Sequence, residues 1–424
     1  MTNPSRTEWD APCGFVLCIG MLLDATRPRI DGRSMLSCQK HLFSLPPDLH
    51  YLNCGYMSPL PIRVEQAGVE GIKRKQVPSE ISPSDFLLGL EAVRSGFAKL
   101  VGLDEPRRIA VIPSVSYGLA TAANNLAVAA SQNIVILARQ FPSNVYAWRR
   151  IADSSGAALR TVFPPDDVAQ RARKWNERVL EAIGDDTAIV ALGQVHWTDG
   201  TLFDLEAIGT RCREVGAALV VDGTQSVGAL PFDVGRIRPD ALICAGYKWL
   251  MGPYSIGAAY FGPRFDGGTP LEEAWLAREG SDDFPRLVDY TDTYRPGAVR
   301  YEAGEISNFT LVPMLSAALE LISEWGVARI QEYCSELTKL LVSAVTSVGF
   351  GVEEEQWRAG HMVGLRMPEG LDPVSIQAEL AARRIAVSVR ADVLRVSPHV
   401  YNDPGDVEAL TEVLEGAVGS TATP

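Results

Sequence analysis

The stretch Ala-Leu-Val-Val-Asp-Gly-Thr-Gln-Ser-Val-Gly at residues 218–228 decides how the rest of the chain is interpreted. Its apolar residues predict a buried β-strand that ends at Asp222, and the turn that follows presents Gln225. In open α/β sheets, ligands bind just beyond the carboxyl ends of the strands. Asp222 is therefore either a ligand-binding carboxylate or a cap for the next helix, and for an isolated Asp the cap is the more ordinary role.

A second stretch, Ala-Leu-Ile-Cys-Ala-Gly-Tyr-Lys-Trp-Leu-Met-Gly-Pro at residues 241–253, leads from another apolar strand directly to Lys248. Apolar surroundings lower the pKa of an amine and favour its nucleophilic form. Alone, Lys248 is equally compatible with a surface loop. Together with Asp222, 26 residues earlier, it matches what pyridoxal phosphate (PLP) requires: an amine for a Schiff base and a carboxylate that keeps the pyridine nitrogen protonated.

Short apolar runs alternate with amphipathic helical patterns from about residue 100 onward. This alternation predicts βαβ units and an α/β fold with a mainly parallel sheet that is buried on both faces. The predicted strands are Ile109–Ile112, Ile134–Leu137, Ala188–Leu192, Ala218–Val221, Ala241–Cys244 and Ile256–Phe261.

The chain divides into four predicted regions. Residues 1–34 show no clear periodicity and are interpreted as an N-terminal extension, and residues 35–60 form an N-terminal segment. A large cofactor-binding domain is expected over 61–310, and a smaller C-terminal α/β domain over 311–424, after loops rich in Asp, Gly and Pro.

Composition excludes several classes of protein. The net charge of −13 over 424 residues disfavours nucleic acid or an anionic membrane as the main partner. The seven cysteines are scattered, without zinc spacing, so no metal site is expected and a reducing compartment fits best. The apolar run at 15–23 is too short to span a bilayer and follows acidic residues, which favours a cytoplasmic location.

The D-x-x-Q pattern followed by Tyr-Lys-Trp-x-x-Gly-Pro resembles the class V aminotransferase branch of the fold-type I PLP enzymes. The resemblance extends from about Tyr51 to Val413 and is closest to the isopenicillin N epimerase-like and cystine C–S lyase-like members. It implies the PLP-dependent transferase fold with a seven-stranded sheet, an α-amino acid as substrate, and a homodimer with its active site at the subunit interface.

The resemblance also assigns roles to the central residues. Asp222 would pair with the pyridine nitrogen, and Gln225 would hydrogen-bond the phenolic oxygen of the cofactor. Lys248 would form the Schiff base and transfer the proton. Tyr247, immediately before it, is a further cofactor contact.

Three other segments match the family pattern more loosely. Ser116 and Tyr117 precede a predicted helix, whose N-terminus could bind the phosphate, although an ordinary serine cap has the same appearance. Phe141 occupies the position of the ring that stacks on PLP, where desulfurases usually have His, and a core aromatic is the alternative. His196 contacts substrate or has a structural role, while Trp197 forms a wall of the pocket.

The remaining site predictions concern cations and the dimer. Arg395, in a segment similar to the family's Arg-x-(Ser/Ala)-Pro motif, would clamp the substrate α-carboxylate, because a guanidinium binds both oxygens in a fork. Arg390 is a second candidate cation. Asn308 lies in a segment that resembles the loop reaching toward the neighbouring subunit's phosphate.

These residues serve transamination, β-elimination and epimerisation alike, so the resemblance does not choose among them. Desulfuration is disfavoured because residues 387–394 contain no cysteine before Arg395. We expect an aminotransferase-type enzyme, with a lyase or epimerase acting on a β-substituted or peptide-linked amino acid as the alternative. A non-catalytic binding module would not need the Asp222, Gln225 and Lys248 set, and a nucleotide-binding oxidoreductase lacks the GxGxxG motif.

Overall fold

The computed structural model describes residues 35–166, 170–390 and 393–421. The predicted N-terminal extension lies outside these residues. The helices are α1 (Ile62–Arg74), α2 (Asp85–Leu100), α3 (Val115–Asn125), α4 (Ser143–Ser155), α5 (Arg171–Ala182), α6 (Leu205–Val215), α7 (Val234–Ile237), α8 (Leu311–Trp325), α9 (Val327–Ser347), α10 (Pro373–Ala382) and α11 (Pro404–Thr421). The strands are β1 (His50–Tyr51), β2 (Ile109–Ile112), β3 (Asn133–Leu137), β4 (Ala158–Val162), β5 (Thr187–Gly193), β6 (Ala218–Asp222), β7 (Ala241–Ala245), β8 (Gly257–Phe261), β9 (Val363–Arg366), β10 (Ile385–Ala386), β11 (Ser388–Arg390) and β12 (Val393–Val396).

The central sheet has seven strands in the order β2-β8-β7-β6-β5-β3-β4. Strand β8 runs antiparallel to its neighbours β2 and β7, and the other pairs are parallel. This architecture confirms the predicted α/β fold with a mainly parallel seven-stranded sheet. The six strands located from the sequence are all present, with bounds that differ by no more than about one residue at each end.

The seventh strand, β4, was missed because it lies at the edge of the sheet. Its residues alternate between exposed and partly buried positions, and only Val162 is fully buried. Such a strand lacks the continuous apolar run that marks the central strands. Strand β3 supplies its only partner in the sheet, paired in parallel.

Both faces of the sheet are covered by helices. Along β5, Ile189 and Ala191 join one apolar layer, which includes Trp148 of α4, while Val190 and Leu192 join the other, which includes Trp175 of α5. Successive side chains of a strand point to opposite faces, so a strand buried on both sides has to be apolar throughout.

The N-terminal segment is joined to the C-terminal part of the chain. Strand β1 pairs in parallel with β10, and Asn53 forms a bridge with Ser397 just after β12. A second small sheet has the antiparallel order β11-β12-β9. Helix α8 packs on α1 and α2, so its apolar stripe belongs to the core of the large part of the molecule. The division at residue 311 stays a prediction.

Within the described ranges, no single helix is long and apolar enough to cross a membrane. The pair α8 and α9 reaches the required length and composition only jointly, and the two helices meet at an angle of 74°.

Candidate active site

A cavity opens at the carboxyl ends of the central strands. The predicted site residues that line it are Ser116, Phe141, His196, Trp197, Asp222, Gln225, Tyr247 and Lys248. They come from segments spread over more than a hundred residues of sequence, and the parallel strands bring them to one edge of the sheet.

Asp222 and Gln225 occupy the floor of this cavity. Asp222 ends β6, and its Oδ1 accepts a hydrogen bond of 3.0 Å from the Thr224 amide. Burial raises the pKa of Asp222 above its ordinary value, although the hydrogen bonds from Thr224 and the positive charge of the Lys248 amine act in the opposite direction. Since no lysine or arginine of the described chain forms an ion pair with it at salt-bridge distance, Asp222 is suited to a cationic ring nitrogen supplied by a ligand.

Gln225 is held in one orientation by its neighbours. Its Oε1 accepts a hydrogen bond of 2.8 Å from Trp249 Nε1, and its Nε2 donates one of 3.0 Å to the Gly55 carbonyl. His361 Nε2 donates to the backbone carbonyl of Gln225 at 2.8 Å. The amide nitrogen keeps a second proton, which can be donated to a ligand oxygen.

Lys248 follows strand β7 by three residues and lies near two aromatic rings. Its Nζ is 5.6 Å from the ring centre of Phe141 and 5.5 Å from that of Tyr247, and the residue is only 7% exposed. Burial and, to a lesser extent, the positive charge of Arg395 lower the pKa of this amine from 10.5 to about 8, against the opposing effect of Asp222. An amine of this kind is available as a nucleophile near neutral pH.

The predicted phosphate end is formed by the start of α3. Ser114 caps this helix by accepting a hydrogen bond of 3.1 Å from the Tyr117 amide, and its Oγ lies 2.9 Å from Ser116 Oγ. Ser114 and Ser116 line the cavity, whereas the Tyr117 side chain does not. At Gly118 a methyl group would come within 2.7 Å of Ile243, so glycine is what lets α3 approach β7.

Phe141 and Trp197 form the aromatic wall. Their ring centres are 5.5 Å apart with the planes perpendicular, and Trp197 Nε1 donates a hydrogen bond of 2.7 Å to the Arg139 carbonyl. His196 also borders the cavity, but both ring nitrogens are engaged, with Thr198 Oγ1 at 2.7 Å and the Ala138 carbonyl at 3.2 Å. Of the two predicted roles of His196, these hydrogen bonds favour the structural one.

Besides Tyr117, three predicted residues lie outside the cavity lining. Arg395 is 1% exposed and donates to the Trp197 carbonyl at 2.6 Å and to Ser388 Oγ at 3.2 Å. Arg390 borders a neighbouring cavity on the Trp197 side. Asn308 caps α8 by accepting hydrogen bonds from the Thr310 and Leu311 amides, each 2.9 Å long.

The structure adds residues that the sequence did not single out. Thr224 lines the cavity together with Asp222 and Gln225. Its position inside the Asp-Gly-Thr-Gln motif could have indicated this from the sequence. Tyr254 lines it as well and packs on Tyr247 with ring centres 4.6 Å apart. The approach of Gly55 to Gln225 bridges 170 residues of sequence, and no local pattern predicts it.

Comparison with known proteins defines the class. The family model "Aminotransferase class-V" matches residues 82–410, so the chain belongs to this family of PLP-dependent enzymes. The confirmed resemblance makes pyridoxal phosphate its cofactor. The residues fit the group. One cavity is bordered by a fixed amide, a buried amine, a serine-lined helix N-terminus and a carboxyl group that has no cation at salt-bridge distance within the described ranges.

The chain is similar to two curated relatives in sequence and to two solved structures in fold. The chain is 27% identical to an uncharacterized aminotransferase, YcbU, of Bacillus subtilis (76% of this chain, 82% of the relative). It is 25% identical to the isopenicillin N epimerase of Streptomyces clavuligerus (88% and 96%). A cysteine desulfurase from Thermococcus onnurineus aligns with a TM-score of 0.75 at 22% identity (91% and 99%). A C-DES variant with glycine covalently linked to its PLP cofactor aligns with a TM-score of 0.77 at 19% identity (89% and 99%).

Proposed function

We propose that this protein is an aminotransferase-type enzyme that removes the α-proton of an amino acid with Lys248 as the base. The observation that carries the proposal is the buried amine of Lys248, whose pKa is lowered to about 8, beside Asp222 in the cavity. When bound, the cofactor supplies an electron sink for the charge that develops on the α-carbon. Asp222 would hold the ring nitrogen protonated, and Gln225 would orient the phenolic oxygen.

A single free nitrogen base among the residues that line the described cavity supports transamination over epimerisation. Epimerisation in which the proton leaves one face of the α-carbon and returns to the other is served best by two bases. Of the amine and imidazole side chains that border the described cavity, His196 has both nitrogens engaged, which leaves Lys248. Phe141 cannot transfer a proton. Lys248 would therefore receive and return the proton on one side.

Desulfuration is further disfavoured by the cysteine nearest to this chemistry. Cys54 interacts electrostatically with Lys248 and Arg395, yet its thiol is fully buried. Burial raises the pKa of Cys54 to about 12, so the thiol is neutral near pH 7. A persulfide-forming nucleophile needs an accessible thiolate, which Cys54 does not provide.

The second candidate function is a PLP-dependent lyase or epimerase that acts on a β-substituted or peptide-linked amino acid. The match to an isopenicillin N epimerase over 88% of this chain supports it. In this case Lys248 would still remove the α-proton, and the fate of the carbanion would differ.

One experiment separates these outcomes. Purified holoenzyme is mixed with single amino acids, without a keto-acid acceptor, and the keto acid released per subunit is counted. We expect about one equivalent, because a transaminating enzyme stops when its cofactor carries the amino group. Continuous release would point to elimination. Exchange of the α-hydrogen with D₂O together with inversion at the α-carbon, and without keto acid, would point to epimerisation.

We also propose a homodimer with the active site at the subunit interface. Large apolar side chains are exposed in the N-terminal segment and at the cavity, including Tyr56, Met57 and Tyr254. Asn308 lies outside the cavity of its own subunit, as a residue that reaches a neighbour's phosphate would. Light scattering should give the mass of two chains, and a monomeric holoenzyme with full activity would contradict the proposal.

A cytoplasmic location is proposed on the basis of the thiols. The five cysteines within the described ranges are all free, at positions 38, 54, 212, 244 and 334. Free thiols persist in a reducing compartment. Cell fractionation would test this location, and recovery of the protein outside the cytoplasm would contradict it.

A further inference from the structure

A second cavity adjoins the active site and is rich in arginine. We call it the arginine cavity, because its lining includes Arg139, Arg171, Arg366 and Arg390. Trp197 lines both this cavity and the active-site cavity. The two spaces are therefore neighbours that share one aromatic wall.

Two of the four guanidinium groups are neutralised by buried carboxylates. Arg171 lies 3.0 Å from Asp199 and 3.3 Å from Glu353, and Arg366 lies 2.6 Å from Glu353. Burial alone would raise the pKa of Asp199, but the His196 hydrogen bond and the Arg171 charge hold it well below its ordinary value. These carboxylates thus fix Arg171 and Arg366 in place.

The other two arginines have no carboxylate partner among the residues that the structure describes. Arg390 donates to the Val389 carbonyl at 2.9 Å and lies over the Trp197 ring at 5.5 Å, and its Nε is buried without any partner. Arg139 follows β3 with a φ of 55°, a left-handed conformation that costs a non-glycine residue free energy. Among the residues that the structure describes, four arginines meet two carboxylates here, which leaves Arg390 and the exposed Arg139 without a counter-charge.

A buried donor without a partner is costly, and a guanidinium is shaped to bind a carboxylate with two parallel hydrogen bonds. A ligand carboxylate in the arginine cavity would satisfy Arg390 and offset the excess charge. The charge of Arg390 also reaches Lys248, which places this cation within electrostatic range of the reacting centre.

We propose that the arginine cavity binds a second, distal carboxylate of the substrate, with Arg390 and Arg139 as specificity-determining residues. The inference rests on the proposed function and narrows its substrate class to amino acids that carry a negative charge away from the α-carbon. Arg395, which lies outside both cavity linings, stays the predicted partner of the α-carboxylate. The distal carboxylate can belong to a side chain, as in glutamate, or to a peptide-like extension, as in γ-glutamylglycine.

The test compares matched ligands on the holoenzyme by titrating the cofactor absorbance. Glutamate is paired with glutamine, and γ-glutamylglycine with its C-terminal amide, so that each pair differs in the distal charge alone. We expect the carboxylate member of at least one pair to bind roughly tenfold more tightly, as a charged hydrogen-bonded pair would give. The length of the preferred ligand then separates a side-chain source from a peptide-like one.

Variants connect the preference to these residues. Arg390→Gln and Arg139→Gln should each remove most of the preference for the carboxylate, because they weaken the charged member of a pair far more than its neutral partner. Arg236→Gln is the matched control, because Arg236 has an exposed side chain on α7 outside both cavity linings. It should keep the wild-type preference.

Calorimetry provides a readout that does not depend on the cofactor signal. Glutarate has no amino group, and we expect it to release binding heat with the holoenzyme that Arg390→Gln loses. Equal affinities within both pairs, or equal weakening of both members in Arg390→Gln, would overturn the inference and leave the proposed function intact. If no amino acid changed the cofactor absorbance, both would fail.

Discussion

At Lys248, burial, a cation and a carboxylate act on the same amine. Loss of water is the largest effect and lowers the pKa, the Arg395 charge acts in the same direction, and Asp222 opposes both. The net result is a pKa of about 8 instead of 10.5. A substantial fraction of the amine is thus neutral near physiological pH, which a surface lysine would not achieve.

The lowered pKa predicts how the apoenzyme recaptures its cofactor. Because only the neutral amine attacks an aldehyde, the recapture rate should rise with pH and reach half of its maximum near pH 8. Arg395→Met should move this midpoint upward, since it removes a cation that disfavours the charged amine. Stopped-flow absorbance measures the rate.

The exposed Arg236→Gln is the control and should leave the midpoint unchanged. A wild-type midpoint near the ordinary lysine value of 10.5 would contradict the account of Lys248.

At the scale of elements, the start of α3 combines a stabilising cap with the proposed place for the phosphate. Ser114 satisfies one amide of the first turn, and Ser114 and Ser116 face the cavity. The positive end of the helix dipole favours an anion there. We therefore expect stability and cofactor affinity to be coupled at Ser114.

A matched pair of cap variants separates these two contributions. Ser114 caps α3 and Asp204 caps α6, a helix of the same length outside the cavity lining. Ser114→Ala and Asp204→Ala should each lower the free energy of unfolding of the apoenzyme by about 1 kcal/mol. Only Ser114→Ala should also raise the PLP dissociation constant, measured by fluorescence titration.

Equal PLP affinities in the two variants would show that Ser114 serves the helix alone. Loss of affinity in Asp204→Ala would show that the effect comes from general destabilisation.

The elements that could be predicted are those whose burial requires a recognisable run of apolar residues in the sequence. Strand β7 is apolar throughout and β6 is apolar up to Asp222, because helices cover both faces, so the sequence locates them and the residues at their ends. Strand β4 is half exposed and escapes this criterion. The pairing of β1 with β10 joins residues more than three hundred positions apart, and no local pattern specifies it.

The site was predictable to the extent that it lies on strand ends. Asp222, Gln225 and Lys248 follow β6 and β7, and their convergence follows from the parallel sheet. Arg390 was predicted as a cation, but its position beside Arg139 in a separate cavity depends on how the small sheet packs on the β3–α4 connection. Such packing is a property of the tertiary structure.

At the scale of the whole molecule, buried histidines lie where distant parts of the chain meet. His399 is fully buried among Trp249, Trp325 and Tyr401, and neither ring nitrogen has a hydrogen-bond partner within the described ranges. His361 packs on Trp249 with ring centres 4.4 Å apart. Burial lowers the pKa of His361 to about 4 and that of His399 to about 3.

These shifts predict a loss of stability in acid. At pH values between the ordinary histidine pKa of 6.5 and these lowered pKa values, the two histidines are protonated in the unfolded chain but neutral in the folded chain. Stability is therefore lost as pH falls below about 6.5, by up to ~1.4 kcal/mol per pH unit for each histidine. In urea titrations, His399→Phe should show a smaller difference between pH 7 and pH 5 than the wild type.

The exposed His41→Phe is the control and should keep the wild-type difference. A His399→Phe protein with the same acid sensitivity as the wild type would contradict the role of His399.

The central claim is that Lys248 carries the cofactor, and reduction of the holoenzyme with borohydride followed by peptide mass spectrometry tests it most directly. Reduction makes the link between amine and cofactor permanent. We expect the added mass of reduced pyridoxal phosphate on the peptide that contains Lys248, and no such addition in Lys248→Ala. Labelling of another lysine in the wild type, or an unchanged cofactor band in Lys248→Ala, would contradict the account.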